Sequence, residues 1–394
     1  MIEELLGRFE SVFASDFMLA KDKMKDEASR STFVIIGGAG TIGSAVVRLL
    51  VSLEAKNIQV VDISENNLVE LTRDIRSSKY NIVTEIETYA MDCGSEEFVR
   101  YFNQLPSVDY LLNFSALKHV RSERDVYTLK RLVDVVVINS VNLLNLAEEK
   151  GCKKYFCVST DKAANPVSMM GASKLLMEKF ILSQQVGVKV STARFPNVAF
   201  SDGSLLFGFE NRLNKKQPLA IPTDIRRYFL TPEEAGQLCV LSCLIAGDKE
   251  ILFPKTNNNF EDISLVEIAS AYLRLKGFEP APFDSEKMAK ESVEKCIEEG
   301  KWPCFYFESD TTGEKPFEEF YAENEKVDLK RFDSLGVVFF DPNINKIDFG
   351  EFANLYDEFK NLNNWTKARL VDVFKLFLPN FLHEEKNKNL DQKM

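Results

Sequence analysis

Phe33-Val-Ile-Ile-Gly-Gly-Ala-Gly40-Thr-Ile-Gly43-Ser-Ala-Val-Val-Arg-Leu-Leu50 reads as an apolar strand, a glycine turn and a helix in immediate succession. Four consecutive apolar residues, three of them β-branched, suit a strand covered on both faces. The glycines permit a tight turn and let the backbone approach a ligand. The helix that follows then offers its first N–H groups and positive dipole end to an anion. A second strand, Ile58-Gln-Val-Val61, arrives within the length of one crossover. A glycine turn with no ligand is the plain alternative, but strand, helix and second strand supply the context a dinucleotide fingerprint requires. Gly37, Gly40, Thr41, Ile42 and Gly43 are therefore the first candidates for cofactor contact.

The spacing Gly-x-x-Gly-x-x-Gly resembles that of the short-chain dehydrogenase/reductase superfamily. Asp62 ends the second strand nineteen residues after Gly43. Its carboxylate can accept hydrogen bonds from an adenosine ribose and would repel a 2′-phosphate. The next residues, Ile63, Ser64 and Glu65, bring no cation, so NAD is favoured over NADP. Asp92, after the third strand, resembles the adenine-contacting Asp of that superfamily.

Strand–helix alternation continues around Thr84–Met91, Tyr110–Phe114, Tyr155–Val158 and Val188–Ala193. That pattern predicts an α/β fold, a doubly wound parallel sheet with a Rossmann core over 31–200 and further core elements within 229–256. Residues 201–228 and 257–342 are irregular, with Pro222-Thr-Asp, Lys255-Thr-Asn-Asn-Asn-Phe and an acidic, aromatic stretch from Phe305 to Asn324. They read as a smaller, loop-rich substrate-binding region over the carboxyl ends of the strands. Residues 1–30 read as a helical extension and 343–394 as a helical end with a polar tail.

The 394 residues are 45% hydrophobic and 28% charged, an ordinary globular balance, with a formal net charge of −11. That charge argues against a nucleic acid or an anionic membrane as partner. Seven scattered cysteines without a CxxC pair argue for a reducing compartment and against zinc. Cys239 and Cys243, one helical turn apart, read as buried apolar residues. Two histidines, His119 and His383, cannot assemble a histidine-rich metal centre. No apolar run is long enough to span a bilayer, and the acidic, amphipathic start is no signal peptide. A cytoplasmic protein without metal is expected.

The most informative stretch is Val158-Ser-Thr-Asp-Lys-Ala-Ala-Asn-Pro-Val-Ser-Met-Met-Gly-Ala-Ser-Lys174. With Ala116-Leu-Lys-His-Val120, Arg194-Phe-Pro-Asn-Val198, Arg226-Arg-Tyr-Phe229, Gly313-Glu-Lys-Pro-Phe-Glu-Glu319 and the terminal Leu390-Asp-Gln-Lys-Met394, it resembles the UDP-N-acetylglucosamine 4,6-dehydratases. These form the polysaccharide-biosynthesis branch of the extended short-chain superfamily. The resemblance covers nearly the whole chain. It implies oxidation of the sugar at C4 by NAD, removal of the C5 proton, loss of the C6 hydroxyl as water and return of the hydride to C6. It further implies Lys162 as C5 base, Asp161 as acid at C6, Thr160 on the C4 oxygen, Lys174 on the nicotinamide ribose, and a homo-oligomer. A lysine can serve as a base only if its pKa falls well below about 10.4, and burial together with the Lys174 cation is the expected cause.

Lys174 lies four residues after Met170, on one helical face. The superfamily's usual pair there is Tyr and Lys, so Met170 is a departure, one that a branch of these dehydratases resembles. A thioether cannot take a proton, and the C4 proton must go to Asp161 or through water. The family's frequent Asn near 136 is replaced by Val136; Asn139, one turn later, is either its substitute or a plain helix residue. Lys118 and His119 follow the fourth strand and are candidates to face cofactor and sugar, with a structural histidine as the alternative. Arg194, Asn197 and Arg227 are candidates for the substrate pyrophosphate, since guanidinium and amide groups donate several bonds to phosphate oxygens. Pro196 replaces the glycine usual before that Asn. Glu314 and Glu319 resemble positions near the nucleoside ribose. A nucleotide-sugar epimerase shares the hydride step but needs no C5 base or C6 acid, and a non-catalytic NAD-binding protein needs neither.

Overall fold

β1 (Thr32–Ile36) carries the glycine turn at its carboxyl end and stands inside a sheet of nine strands in the computed structural model. The structure describes residues 2–78, 82–118, 120–256, 260–309, 315, 317–343 and 347–383. The other strands are β2 (Asn57–Asp62), β3 (Glu85–Ala90), β4 (Tyr110–Asn113), β5 (Lys154–Val158), β6 (Lys189–Ala193), β7 (Glu250–Pro254), β8 (Lys326–Asp328) and β9 (Leu335–Phe339). Their order is β8-β9-β7-β6-β5-β4-β1-β2-β3. β1 to β7 run parallel, while β9 pairs antiparallel with both β7 and β8. This is the doubly wound α/β sheet expected from the sequence. The chain reverses its winding between β1 and β4, the switch point at which such sheets bind ligands.

Register brings the loops of the site together. Ile36 pairs with Asn113, Asn113 with Cys157 and Val158 with Ala193, so the carboxyl ends of β1, β4, β5 and β6 form one edge. Every residue of β4 and β5 is buried, and edge strand β3 is mostly exposed. The helix Thr41–Ser52 leaves the glycine turn so closely that a Cβ on Gly43 would stand 2.2 Å from the Gly37 carbonyl oxygen. No other residue fits there without moving the turn.

Two hydrophobic cores form. The larger surrounds the sheet and takes in the C-terminal helices Phe349–Lys360 and Lys367–Phe377, whose Phe352 and Phe377 rings pack against Phe180. The smaller joins Leu206, Phe209, Ile221, Leu265, Tyr272 and Trp302 around a three-stranded parallel sheet of Glu279–Phe283, Lys301–Phe307 and Leu219–Pro222. The start of the chain departs from a single helix. Ile2–Leu6 and Ala14–Ala28 are separate helices, with Gly7 at φ +67° between them and Arg8 donating to the Glu234 carboxylate at 2.7 and 3.0 Å. Leu5 and Leu6 join the smaller core; Phe13, Phe17 and Met24 join the larger.

Candidate active site

A cavity of about 370 Å³ opens at the aligned strand ends. Its wall takes Gly37, Gly40, Thr41, Ile42 and Gly43 from the glycine turn, Lys118 from the segment after β4, and Thr160 and Lys162 from the turn after β5. Met170, Lys174 and Asn197, also expected from the sequence, line it as well. The helix Thr41–Ser52 points its N-terminus at this wall. Its N-cap is Gly40 and no side chain caps it, which leaves its first N–H groups for a ligand. Thr41 Oγ1 also meets Asp202, whose backbone N–H donates to it at 3.3 Å, so a loop from beyond β6 closes over the turn.

Asp62 takes an N–H from Ala39 of the glycine turn at 3.0 Å and one from Ser64 at 2.9 Å, which fixes its carboxylate beside that turn. Asp92 accepts from Gly94 N–H and Arg131, both at 2.9 Å. Asn139 is buried against the same loop, with Nδ2 3.9 Å from Cys93 Sγ, and is not part of the cavity wall. A turn of π helix at Asp134–Ile138 precedes it, with Val136 fully inside the core.

The turn after β5 carries the chemistry. Thr160 is the N-cap of a short 3₁₀ turn, Asp161–Ala163. Its Oγ1 donates to Asp161 Oδ1 at 2.8 Å, and Lys162 reaches the same oxygen with its backbone N–H at 2.8 Å and with Nζ at 3.0 Å. The helix Met169–Ser183 presses onto this turn: a Cβ on Gly171 would lie 2.4 Å from the Lys162 carbonyl oxygen, so only glycine permits the approach. Ser168 caps that helix, and the buried Glu123 accepts the Met170 N–H at 3.3 Å while its other oxygen meets His383 at 3.0 Å. Met170 thus lines the cavity on a helix whose start is doubly held. Lys174 Nζ donates to Val158 O at 2.8 Å, and burial pushes its pKa down.

Several expectations change. Lys162 does not sit under the influence of Lys174; its neighbours are Asp161 and, at 3.4 Å, Glu318. Burial alone would lower its pKa, but the two carboxylates outweigh burial and the amine is pushed up. Arg194 is no pyrophosphate ligand. It is 1% exposed, and its guanidinium makes five bonds: two to Glu178, two to Glu325 and one to Phe320 O. An Arg has five N–H donors, so none is left for a phosphate. Arg227 is buried too; it lies 3.8 Å from Glu318, donates to Arg226 O at 2.8 Å, and is not on the wall of this cavity. Glu319 is exposed, accepts from Asn165 Nδ2 at 3.0 Å, and lies off the wall. His119, Glu314, the Asn257-Asn-Asn259 run and the terminal Leu390–Met394 lie outside the described residues. Asp161 is buried off the cavity wall and is bonded to Thr160 and Lys162, which line it. Glu318 was not singled out in the sequence: nothing in a Glu-Glu pair says that the first is buried and the second solvated.

No helix among the described residues is long and apolar enough to cross a membrane, and no group of three or more metal-ligating side chains occurs among them. Residues 33–338 match a family described as polysaccharide biosynthesis protein. The chain is 30% identical over 278 residues to the uncharacterized membrane protein MJ1061 of Methanocaldococcus jannaschii, an alignment that takes 68% of this chain and 79% of that protein. It is 26% identical to the probable polysaccharide biosynthesis protein EpsC of Bacillus subtilis over 74% of its length, spanning 49% of EpsC. Other relatives carry named activities. The UDP-glucose 4-epimerase of Rickettsia bellii is 30% identical over 50% of this chain and 58% of its own. The UDP-N-acetylglucosamine 4,6-dehydratase (inverting) of Campylobacter jejuni subsp. jejuni is 24% identical over 58% and 67%. Among solved structures, Pen from Bacillus thuringiensis superimposes with a TM-score of 0.64 at 22% identity, covering 89% of this chain and 97% of its own.

Proposed function

The chain belongs to the polysaccharide biosynthesis protein family, and from that premise we propose that it is a UDP-N-acetylglucosamine 4,6-dehydratase that works with NAD. One observation carries the reading: a carboxylate and an amine from adjacent residues are 3.0 Å apart, the Lys162 amine on the cavity wall that the glycine turn shares and the Asp161 carboxylate just behind it. Epimerisation needs hydride transfer but neither a C5 base nor a C6 acid, and such a pair would have no task in it.

The residues present suit the cofactor. The uncapped helix start at Gly40 fits a pyrophosphate, Asp62 beside the turn fits an adenosine ribose, and the Lys174 ammonium fits the nicotinamide ribose. When bound, NAD supplies the hydride acceptor for C4 and the hydride donor for C6. The chain supplies the proton chemistry. Thr160 Oγ1, already bonded to Asp161 Oδ1, can take the C4 hydroxyl proton as it passes its own to Asp161. This relay answers the absence of a tyrosine at Met170. Asp161 then holds the proton that the C6 hydroxyl needs to leave as water, delivered through the same hydroxyl because Asp161 itself is buried. Lys162 takes the C5 proton, for which it must first become an amine.

Incubation with NAD and UDP-N-acetylglucosamine in deuterated water, followed by product mass, tests the reading. Loss of one water with deuterium at C5 is expected. An isomer of unchanged composition would instead make the protein an epimerase, and unchanged substrate a non-catalytic nucleotide binder.

A further inference from the structure

Lys162 faces two buried carboxylates. Its Nζ lies 3.0 Å from Asp161 Oδ1 and 3.4 Å from Glu318 Oε1, and the two acidic side chains are 1% and 4% exposed. Their remaining oxygens, Asp161 Oδ2 and Glu318 Oε2, are buried with no hydrogen-bond partner among the described residues. A cluster built only for stability satisfies its atoms, as the nearby Arg194 does with all five donors on two glutamates and a carbonyl. A buried carboxylate oxygen left unpaired is costly, and a proton on one of the acids relieves that cost.

We propose that Glu318 is the partner through which Lys162 becomes a base: one proton moves between Lys162 Nζ and Glu318 Oε1, so that ammonium with carboxylate and amine with carboxylic acid are two forms of one cluster. The role rests on the dehydratase reading, and Glu318 acts through Lys162 rather than on substrate. In the step, a Lys162 N–H bond breaks and an O–H bond forms on Glu318 Oε1. The freed lone pair then takes the C5 proton, while the electrons of the C5–H bond stay on the sugar as an enolate. Returning the proton to C5 restores the amine, and the Glu318 proton goes back to Nζ. The proton lost from the C4 hydroxyl travels separately, through Thr160 to Asp161 and on to the departing C6 oxygen. No proton is created or consumed in the cluster.

The surrounding charges agree. Burial, and then Asp161, push the Glu318 carboxyl up against the opposing pull of Lys162, Arg227 and Lys315; Asp161 and Glu318 push Lys162 up against burial and Arg227. At rest the carboxylates therefore hold the proton on Lys162, while burial readies the Glu318 carboxyl to take it when Lys162 loses water. Among the described residues, Arg227, 3.8 Å from Glu318 Oε1, and Lys315, whose Nζ donates to Ala164 O, are the other cations acting on the pair. Closing the cavity around a sugar removes water from Lys162, which favours the neutral form of the pair over the charged one.

Deuterium incorporation at C5 of UDP-N-acetylglucosamine is followed against pH with the full chain and NAD, in wild type, Glu318→Gln and Glu318→Asp. An internal proton transfer does not depend on solvent pH, so the wild-type rate is flat through neutrality. In Glu318→Gln the lysine must lose its proton to solvent: exchange falls by roughly tenfold or more at pH 7 and recovers as the pH rises. Glu318→Asp keeps the flat profile. Glutamine at the wild-type rate, or a loss that higher pH does not restore, overturns the proposal. The substrate-free protein gives an independent reading through the ¹⁵N resonance of Lys162 Nζ. That amine titrates lower in Glu318→Gln than in wild type, and an unchanged titration also overturns it. Wild-type protein that neither exchanges nor loses water would sink the dehydratase reading instead, while the Nζ titration still decides the shared proton.

Discussion

Lys162 and Lys174 belong to one turn and the helix behind it, yet their surroundings push the two amines in opposite directions. Lys174 meets a backbone carbonyl and, among the described residues, no carboxylate within bonding distance, so burial prevails and its pKa falls. Lys162 meets Asp161 and Glu318, which prevail over burial. The difference separates the two lysines by experiment. Replacing Lys162 with Met should abolish C5 exchange, by about a hundred- to ten-thousand-fold, while NAD binding stays close to wild type. That is at least ~2.7 kcal/mol of activation free energy. A few-fold effect would reduce Lys162 to a wall of the pocket. Asp62 offers a second test. Its carboxylate is tied to Ala39 and Ser64 N–H groups, so Asp62→Ala combined with Ser64→Arg loosens the turn and also adds a cation where a 2′-phosphate would lie. Calorimetry should show weaker binding of NAD and a NAD-to-NADP affinity ratio moved towards NADP. An unchanged ratio would remove Asp62 as the selector.

At the scale of elements, what could be read from the chain followed from periodicity. The apolar runs at β1, β2, β4, β5 and β6 are buried parallel strands, and their boundaries fall within a residue or so of the expected ones. The glycine turn could be read because only one backbone path fits it. β8 and β9 were hidden: they are short, follow an irregular stretch, and join the main sheet through antiparallel pairing that no local pattern announces. Arg194 was misread for a related reason. An Arg just after a strand end looks like a phosphate ligand until its partners are known, and Glu178 and Glu325 lie 16 and 131 residues away. Its role links elements. It ties β6 and the helix Met169–Ser183 to the segment before β8, with all three groups largely buried. Removing one member of such a cluster typically costs about 3–5 kcal/mol, because the carboxylates stay behind without their cation. Arg194→Ala should therefore lose that much stability in urea unfolding, and cofactor affinity measured well below the transition should change little. Stability within 1 kcal/mol of wild type would mean that solvent replaces the guanidinium.

For the molecule as a whole, pH becomes a probe of how the core was assembled. All seven cysteines are free and buried, so none reports on the surface. Lys154, on β5, is 5% exposed, with its Nζ donating to Ala246 O at 2.6 Å. Burial pushes it down to about 8, against partial opposition from Cys243, Glu250 and Asp248 and with help from Lys189. In the unfolded chain the same amine titrates near 10.4. Between those values the unfolded state binds more protons than the folded one, so Lys154 makes stability rise with pH over that window. Below about pH 8 the amine is charged in both states, its contribution no longer varies with pH, and its full cost remains. Lys154→Met removes the titration but leaves the Ala246 carbonyl without its donor. Cysteine and tyrosine titrations are common to both proteins, so the difference between them isolates Lys154. Urea unfolding at pH 7, 8, 9 and 10 should show the stability of wild type gaining on that of Lys154→Met at each step above 8. Parallel curves would mean that water reaches the amine in the folded state and that β5 is less tightly enclosed than its packing indicates.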